Sequence, residues 1–177
     1  MTREQLEHAI RAVCDVTGDS EIWIFGSQAI LGQFPNAPES LRASIEVDVY
    51  PKNNPDKLNE IDGSLGELSL FHETHGFYVH GISLETVKLP KDWQKRVVKI
   101  KHEVSIGVNI GLCIEVHDLA ASKLVAFREK DREFVRVLFI EGMVDVHILL
   151  TRINELDIED ELQQRLRTWV IKTSQDL

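Results

Sequence analysis

Hydrophobic residues recur along this chain with two periods, one typical of helices and one typical of strands. Leu6, Ile10 and Val13 lie at helical spacing and predict an amphipathic helix over residues 3–16 that ends near Gly18. Short apolar or alternating segments predict strands over residues 21–25, 44–50, 76–82, 96–104 and 108–116. We expect the last two of these strands to pair as a hairpin.

Helical patterns account for most of the remaining chain. A short helix is predicted over residues 27–33 and a second over residues 58–65. From Asp118, a predicted N-cap, the spacing becomes helical and stays so to the end of the chain. The sequence therefore predicts an α/β (α+β) protein with a small mixed sheet. We expect an αβ core over residues 1–116 and a helical C-terminal segment, 117–177, packed on it as one compact domain.

Composition supports an ordinary folded protein. A hydrophobic fraction of 43% and a charged fraction of 28% argue against disorder. No apolar run reaches the length of a membrane span, and the first residues lack the apolar core of a signal peptide. Cys14 and Cys113 lie in apolar patterns without metal-type spacing, which favours buried thiols in a reducing compartment. We therefore expect a cytoplasmic protein with no membrane partner.

Charge is distributed unevenly. A formal net charge of −9 argues against indiscriminate nucleic-acid binding. Residues 88–101 nevertheless carry six lysines and arginines against one acidic residue, Asp92, with Trp93 among them. This basic strip is consistent with contact to an RNA, a triphosphate or an acidic partner. It is equally consistent with a solvated strand edge on which lysines prevent unwanted pairing.

Two neighbouring motifs carry the candidate chemistry. The first apolar strand breaks at Gly26-Ser27 and turns directly into a helix, which exposes backbone N–H groups and a hydroxyl to an anion. In the next predicted strand Glu46 and Asp48 are two residues apart and so share a face. Two such carboxylates suit Mg²⁺ or Mn²⁺, which prefer oxygen ligands and bind together with substrate phosphates. The pattern predicts a nucleoside triphosphate beside a cation, although a plain turn and an amphipathic strand would fit it too.

Together these motifs resemble the DNA-polymerase-beta-like nucleotidyltransferase superfamily, whose signature is Gly-Ser at a helix start followed by an acidic-x-acidic strand. Residues 115–126 and 128–131 are similar to the later motifs of its minimal bacterial branch, which includes the AbiE-type toxin enzymes. The resemblance implies a nucleotidyltransferase-like sheet and transfer of a nucleoside monophosphate from a triphosphate to an RNA, protein or small-molecule acceptor. It also implies a cognate antitoxin-like partner. The implied site residues are Asp48, Lys123 and Asp131 in catalysis, Gly26, Ser27, Lys123 and Lys130 in nucleotide binding, and Glu46 and Asp48 at the metal.

The later motif places three charged residues within a short distance along the chain. If the helix from Asp118 continues, Lys123, Lys130 and Asp131 lie on one face. A lysine suits a phosphate, and Asp131 would orient it or act as a base. The same residues also fit a snorkelling lysine in a helix-surface ion pair. Glu115, at the end of a predicted strand, is our candidate for a third carboxylate.

Three histidines lie close together in the sequence. His72, His75 and His80 offer metal-ligand side chains, but no cysteine accompanies them and Gly76 opens a strand directly after His75. We therefore expect a structural or loop role for these histidines.

Two functions stay open at this point. The Gly-Ser turn, Asp48 and the Lys123 and Asp131 pair favour an active nucleotidyltransferase. Glu46 at the first acidic position, together with the absence of a clear third acidic strand residue, favours a catalytically inactive member of the fold. Such a member would bind or regulate a partner, for example in a toxin–antitoxin-like pair.

Overall fold

A computed structural model describes residues 1–105 and 107–177, apart from the side chain of Val104. The predicted α/β class is confirmed. The strands are β1 (Glu21–Phe25), β2 (Glu46–Pro51), β3 (Tyr78–Gly81), β4 (Val98–Val104) and β5 (Gly107–Cys113). The helices are α1 (Arg3–Thr17), α2 (Ile30–Gln33), α3 (Leu58–Leu65), α4 (Leu70–His75), α5 (Val116–Ala126), α6 (Glu129–Ile140), α7 (Val146–Asn154) and α8 (Asp160–Gln175).

The five strands form one mixed sheet in the order β3-β2-β1-β5-β4. β1 lies at its centre, antiparallel to β2 and parallel to β5, and is almost entirely buried. β2 and β3 are parallel, and β4 and β5 form the predicted antiparallel hairpin. β3 and β4 are the edge strands. β1 and β2 are neighbours inside the sheet, so the end of β1 lies beside the start of β2.

The chain divides into two compact units. The first contains residues Met1–Thr86 and Val97–Ile114, and therefore the sheet with α1 to α4. The second contains Val87–Arg96 and Glu115–Leu177, and therefore α5 to α8. The predicted packing of a helical segment on an αβ core stays a prediction.

The core of the first unit lies between the sheet and α1. Leu6, Ile10 and Val13, the residues that predicted this helix, are buried. The helix approaches β5 closely at Gly111, where an added Cβ would lie 2.4 Å from the Cδ1 atom of Ile10. A larger residue at this position would displace the buried side chain of Ile10, so the small size of glycine helps α1 to approach the sheet.

A buried carboxylate, Asp19, ties the connection between α1 and β1 to the segment that follows β2. Its two oxygens accept hydrogen bonds from Glu21 N, Asn53 N, Asn53 Nδ2 and Asn54 N at 2.6–3.0 Å. Burial alone would raise the pKa of Asp19, but these hydrogen bonds outweigh it and hold the pKa below its usual value. Asp19 thus fixes the relative position of β1 and β2 at the end of the two strands opposite to Glu46 and Asp48.

A buried ion cluster organises the second unit. Asp118 is fully buried and accepts two hydrogen bonds of 2.9 Å from the guanidinium of Arg96. The Nε atom of Arg152 lies 3.2 Å from the same carboxylate. Arg96 also donates to the carbonyl oxygen of Lys91, whose N–H donates to Glu155 O. The cluster therefore holds the segment 87–96 against α5 and α7.

This arrangement corrects the prediction that Asp118 caps a helix. The N-cap of α5 is Glu115, whose carboxylate accepts hydrogen bonds from the N–H groups of His117 and Asp118. Asp118 lies one turn inside the helix and turns inward to the two arginines. Glu115 and Asp118 are both acidic residues near the start of α5, so the sequence pattern could not show which of them caps the helix.

The helix that contains Asp118 does not continue to Asp131, so the condition for placing Lys123, Lys130 and Asp131 on one helix face is not met. α5 ends at Ala126, and Phe127 adopts a left-handed conformation with φ of +50°. α6 then begins at Glu129, with Arg128 as its N-cap. Of the helices in the described residues, none is long and apolar enough to span a membrane.

Candidate active site

Glu46 and Asp48 point to the same side of the sheet, as predicted. Along β2 buried and half-buried residues alternate, with Val47 and Val49 in the core and the two acidic residues on the opposite face. The side chains of Glu46 and Asp48 are 38% and 28% exposed, so water and small ions reach them. The core therefore fixes the backbone beneath two accessible carboxylates.

The neighbouring strand adds His80 to these carboxylates. The parallel pairing of β2 and β3 places His80 opposite Asp48. Its Nδ1 atom lies 3.3 Å from Oε1 of Glu46 and 3.4 Å from Oδ1 of Asp48. One ligand atom from each of the three side chains lies within 4.8 Å of the other two. We call these residues the acidic cluster, because two carboxylates dominate its charge.

His80 was missed as a site residue by the sequence reasoning, which looked for metal-type spacing along the chain. The relevant neighbour of Asp48 is on another strand, and the parallel pairing of β2 with β3 cannot be read from spacing. One usable signal was present. A strand was predicted across Tyr78 and His80, whose two-residue spacing places both on one face of the sheet.

The pKa of Tyr78 reflects the negative charge of the acidic cluster beside it. Burial raises the pKa of its hydroxyl above the usual value, and the negative charges of Glu46, Glu67 and Asp48 raise that pKa further. A bound cation would oppose the same negative charge, so this side of the sheet favours a cation.

The Gly26-Ser27 turn lies directly against the acidic cluster. Gly26 has φ of +63° and ψ of −167°, a backbone region that is accessible essentially only to glycine. Asp48 pairs with Phe25 across the two strands, and a Cβ on Gly26 would lie 2.2 Å from Oδ2 of Asp48. The glycine and the aspartate are therefore mutually dependent, since a larger residue at position 26 would displace the carboxylate.

The predicted change from strand to turn to helix is confirmed at this motif. Ser27 starts a 3-10 turn, Ser27–Ala29, which continues directly into α2. Gln28 in this turn is fully buried, and its side-chain amide donates a hydrogen bond of 2.9 Å to Ser44 O. Its Oε1 atom has no hydrogen-bond partner among the described residues. Gln28 thus ties the turn to the segment that leads into β2, a role that no sequence pattern indicated.

The residues of the later motif lie in the second unit. Lys123 and Asp131 come together despite the break at Phe127, with 3.7 Å between Nζ and Oδ1. Asp131 is 2% exposed and also pairs with Arg128 at 2.6 Å. The Lys123 ammonium lies 4.5 Å from the centre of the Phe134 ring. Lys130 is exposed, so the structure joins two of the three predicted residues in one buried ion pair.

Glu115, the candidate third carboxylate, is occupied at the start of α5. Besides capping the helix, it lies 2.6 Å from Nδ1 of His117, whose Nε2 atom accepts a hydrogen bond from Asp145 N. Burial raises the pKa of Glu115, but the hydrogen bonds from His117 and Asp118 outweigh it and lower the pKa. In the first unit the third position beside the two carboxylates is taken by His80.

A mixed sheet whose strands carry paired carboxylates beside a Gly-Ser turn, followed by helices, is consistent with the nucleotidyltransferase class. A family model described as "Nucleotidyltransferase of unknown function (DUF6036)" matches residues 4–176, and the chain belongs to this family. No curated protein and no solved structure gives a significant match to the chain. The prediction that the chain belongs to a nucleotidyltransferase family is thereby confirmed.

Proposed function

We propose that the protein is a metal-dependent nucleotidyltransferase that moves a nucleoside monophosphate from a nucleoside triphosphate to an acceptor. The observation that carries this proposal is the acidic cluster of Glu46, Asp48 and His80 against the Gly26 turn, in a chain of a nucleotidyltransferase family. The reaction needs alignment of the attacking oxygen with the α-phosphate and neutralisation of phosphate charge, and little covalent help from the protein.

The donor set of the acidic cluster fits a divalent cation. Mg²⁺ binds through one or two carboxylates together with substrate phosphates, as Glu46 and Asp48 would allow. The imidazole nitrogen of His80 is a softer ligand, which makes Mn²⁺ at least as good a fit as Mg²⁺. When bound, the cation would neutralise negative charge on the triphosphate.

The chain's own residues would bind and orient the substrate. The N–H groups and hydroxyl of the Gly26-Ser27 turn would hold the terminal phosphates, and Asp48 on the adjoining strand would hold the cation that neutralises the phosphate charge. For the second unit we propose that Lys123 and Lys130 contribute positive charge and that Asp131 orients Lys123. The ion pair between Lys123 and Asp131 supports the last of these roles.

The finer parts of the proposal concern partners and cell compartment. The segments 115–126 and 128–131 support a relation to the AbiE-type toxin enzymes and a cognate antitoxin-like partner. We propose RNA, a protein or a small molecule as the acceptor, and the cytoplasm as the compartment.

The test measures cation and nucleotide binding separately from turnover. Titration calorimetry with Mn²⁺ or Mg²⁺, and then with each of the four nucleoside triphosphates, should show cation-dependent binding to the parent chain. Asp48→Asn should lose this binding by about ten-fold or more, because a charge-assisted contact contributes roughly 1.5–3 kcal/mol. Its thermal unfolding should be unchanged or slightly improved, since two like charges repel each other at this site. Label transfer from an α-labelled triphosphate to protein or to total RNA then measures turnover.

Glu73→Gln is the matched control, because Glu73 is exposed on α4 in the same unit. It should leave cation and nucleotide binding unchanged. Cation-dependent nucleotide binding without label transfer to any acceptor would favour the catalytically inactive alternative. Failure of the folded parent to bind a divalent cation or a nucleotide would contradict the proposal itself.

A further inference from the structure

The second unit carries a group of arginines that stack on aromatic rings. Phe127 follows α5, Arg132 and Arg136 lie on α6, and Arg165 and Trp169 lie on α8. We call these five residues the arginine–aromatic cluster. Each helix contributes side chains that are four residues apart and therefore share a face. Arg165 is exposed and the other four members are half-buried, so the cluster forms part of the surface.

Phe127 is the centre of this cluster. The guanidinium carbon of Arg165 lies 4.1 Å from the centre of the Phe127 ring, and that of Arg132 lies 5.0 Å from it. Trp169 meets Phe127 edge to face, with 6.3 Å between ring centres, and the guanidinium of Arg136 lies 6.0 Å from the Trp169 ring. Two like charges on one ring raise the local positive potential, although the ring attracts each of them.

Carboxylates do not neutralise the two arginines on Phe127. Arg136 pairs with Glu133, but within residues 1–105 and 107–177 neither Arg132 nor Arg165 forms an ion pair with an acidic side chain. A guanidinium over an aromatic ring keeps its N–H donors in its own plane, directed away from the ring, where an anion can accept from them.

The backbone at Phe127 is strained in a way that serves this cluster. A φ of +50° is a genuine outlier for a bulky residue that is neither glycine nor asparagine. Such conformations are energetically unfavourable for residues other than glycine and cluster at functional sites. A glycine or asparagine would end α5 at lower cost, but it would not supply a ring for Arg132 and Arg165.

We propose that the arginine–aromatic cluster binds single-stranded nucleic acid, with RNA as the expected ligand. Guanidinium forks match phosphate oxygens, and aromatic rings and guanidinium planes stack on unpaired bases. The cluster combines both features and contains arginines rather than lysines, as phosphate recognition by a planar fork requires. This inference goes beyond nucleotide transfer, because it concerns binding by the second unit and needs neither a metal nor a triphosphate.

The test measures binding of a labelled single-stranded RNA of about 12 nucleotides to the full chain. Fluorescence anisotropy detects the binding, in a buffer without divalent cations or triphosphates. Arg132→Gln with Arg165→Gln should weaken binding by about ten-fold or more at low salt. The dependence of log K on log salt should flatten by about 1.4, since each phosphate contact on a single strand contributes about 0.7. The matched control, Arg11→Gln with Lys57→Gln, removes the same charge from the first unit and should change affinity by less than about two-fold.

A second variant pair keeps the charge and removes only the fork. Arg132→Lys with Arg165→Lys should preserve the salt dependence yet weaken binding several-fold, because an ammonium neither stacks nor binds bidentately. This pair also separates loss of binding from misfolding if the glutamine variant melts early. Equal affinities of the glutamine variant and the control would overturn the proposal. So would an unlabelled polyglutamate that competes as well as RNA of the same charge, which would indicate an acidic protein partner instead.

Discussion

The two units of this chain use aspartate in opposite surroundings. In the first unit Glu46 and Asp48 are accessible to water and lie beside the imidazole of His80. In the second unit Asp118 is fully buried and lies between the guanidinium groups of Arg96 and Arg152.

This difference distinguishes a candidate ligand-binding site from residues that stabilise the fold. A buried charge must be paired, so Asp118 is needed for the arrangement of the helices around it. Glu46 and Asp48 lie close together on an accessible face, where their like charges repel each other and a bound cation would relieve that repulsion. Removal of the two aspartates should therefore have opposite consequences, with instability in one case and loss of binding in the other.

The largest expected effect on stability comes from Asp118→Asn. The substitution leaves two arginines without their shared carboxylate, and breaking a buried pair in this way costs about 3–5 kcal/mol. Urea unfolding followed by circular dichroism should show the loss as a lower midpoint. Glu133→Gln is the control, since it breaks an exposed pair with Arg136 and should cost less than about 1 kcal/mol. Equal midpoints for the parent and Asp118→Asn would remove the contrast between the two aspartates.

A smaller effect is expected at Asp19, a buried aspartate of the first unit that forms no ion pair with an arginine among the residues the structure describes. Asp19→Asn replaces one accepting oxygen by an NH₂ group that faces backbone N–H donors, which should cost about 2–3 kcal/mol at neutral pH. Because the pKa of Asp19 is lowered in the folded state, its contribution is complete above the unfolded pKa of about 4. The contribution is lost as the pH falls through the folded pKa.

The parent and Asp19→Asn should therefore converge in unfolding free energy below about pH 4. Unfolding curves measured at a series of pH values test this directly. A difference that stays constant down to the acid-unfolding range would show that the side-chain amide, and not the charge, is responsible. In that case the negative charge of Asp19 would not be what stabilises the fold.

Much of the fold could be predicted from local patterns, because each pattern reflects one element. The spacing of Leu6, Ile10 and Val13 gave α1, and the alternation around Val47 placed Glu46 and Asp48 on one face. The break at Gly26 was predicted from residue type alone. These features depend on neighbours along the chain, which sequence reasoning can evaluate.

The features that were missed depend on neighbours in space. His80 joins the acidic cluster only because β3 pairs in parallel with β2. Asp118 turns inward because two arginines from other segments meet it, and Glu115 then takes the cap position. The left-handed conformation of Phe127 that ends α5 was not predicted, because phenylalanine seldom adopts positive φ.

The smallest effect on stability is expected from Lys123→Met. The same substitution tests whether Lys123 belongs to the proposed site. Methionine keeps the apolar stem of the side chain, and Arg128 still pairs with Asp131, so the loss of stability should be about 1 kcal/mol. If Lys123 contributes positive charge to a bound triphosphate, the same substitution should weaken nucleotide binding several-fold at low salt, since a charge-assisted contact contributes roughly 1.5–3 kcal/mol.

Lys172→Met is the control, because it removes an exposed lysine from the same unit and should change neither quantity measurably. Calorimetric titration of both variants with the preferred triphosphate distinguishes the two roles. Equal affinities for the parent and Lys123→Met, with the expected small loss of stability, would assign Lys123 and Asp131 to the scaffold, as with Asp118, and leave the acidic cluster as the proposed site.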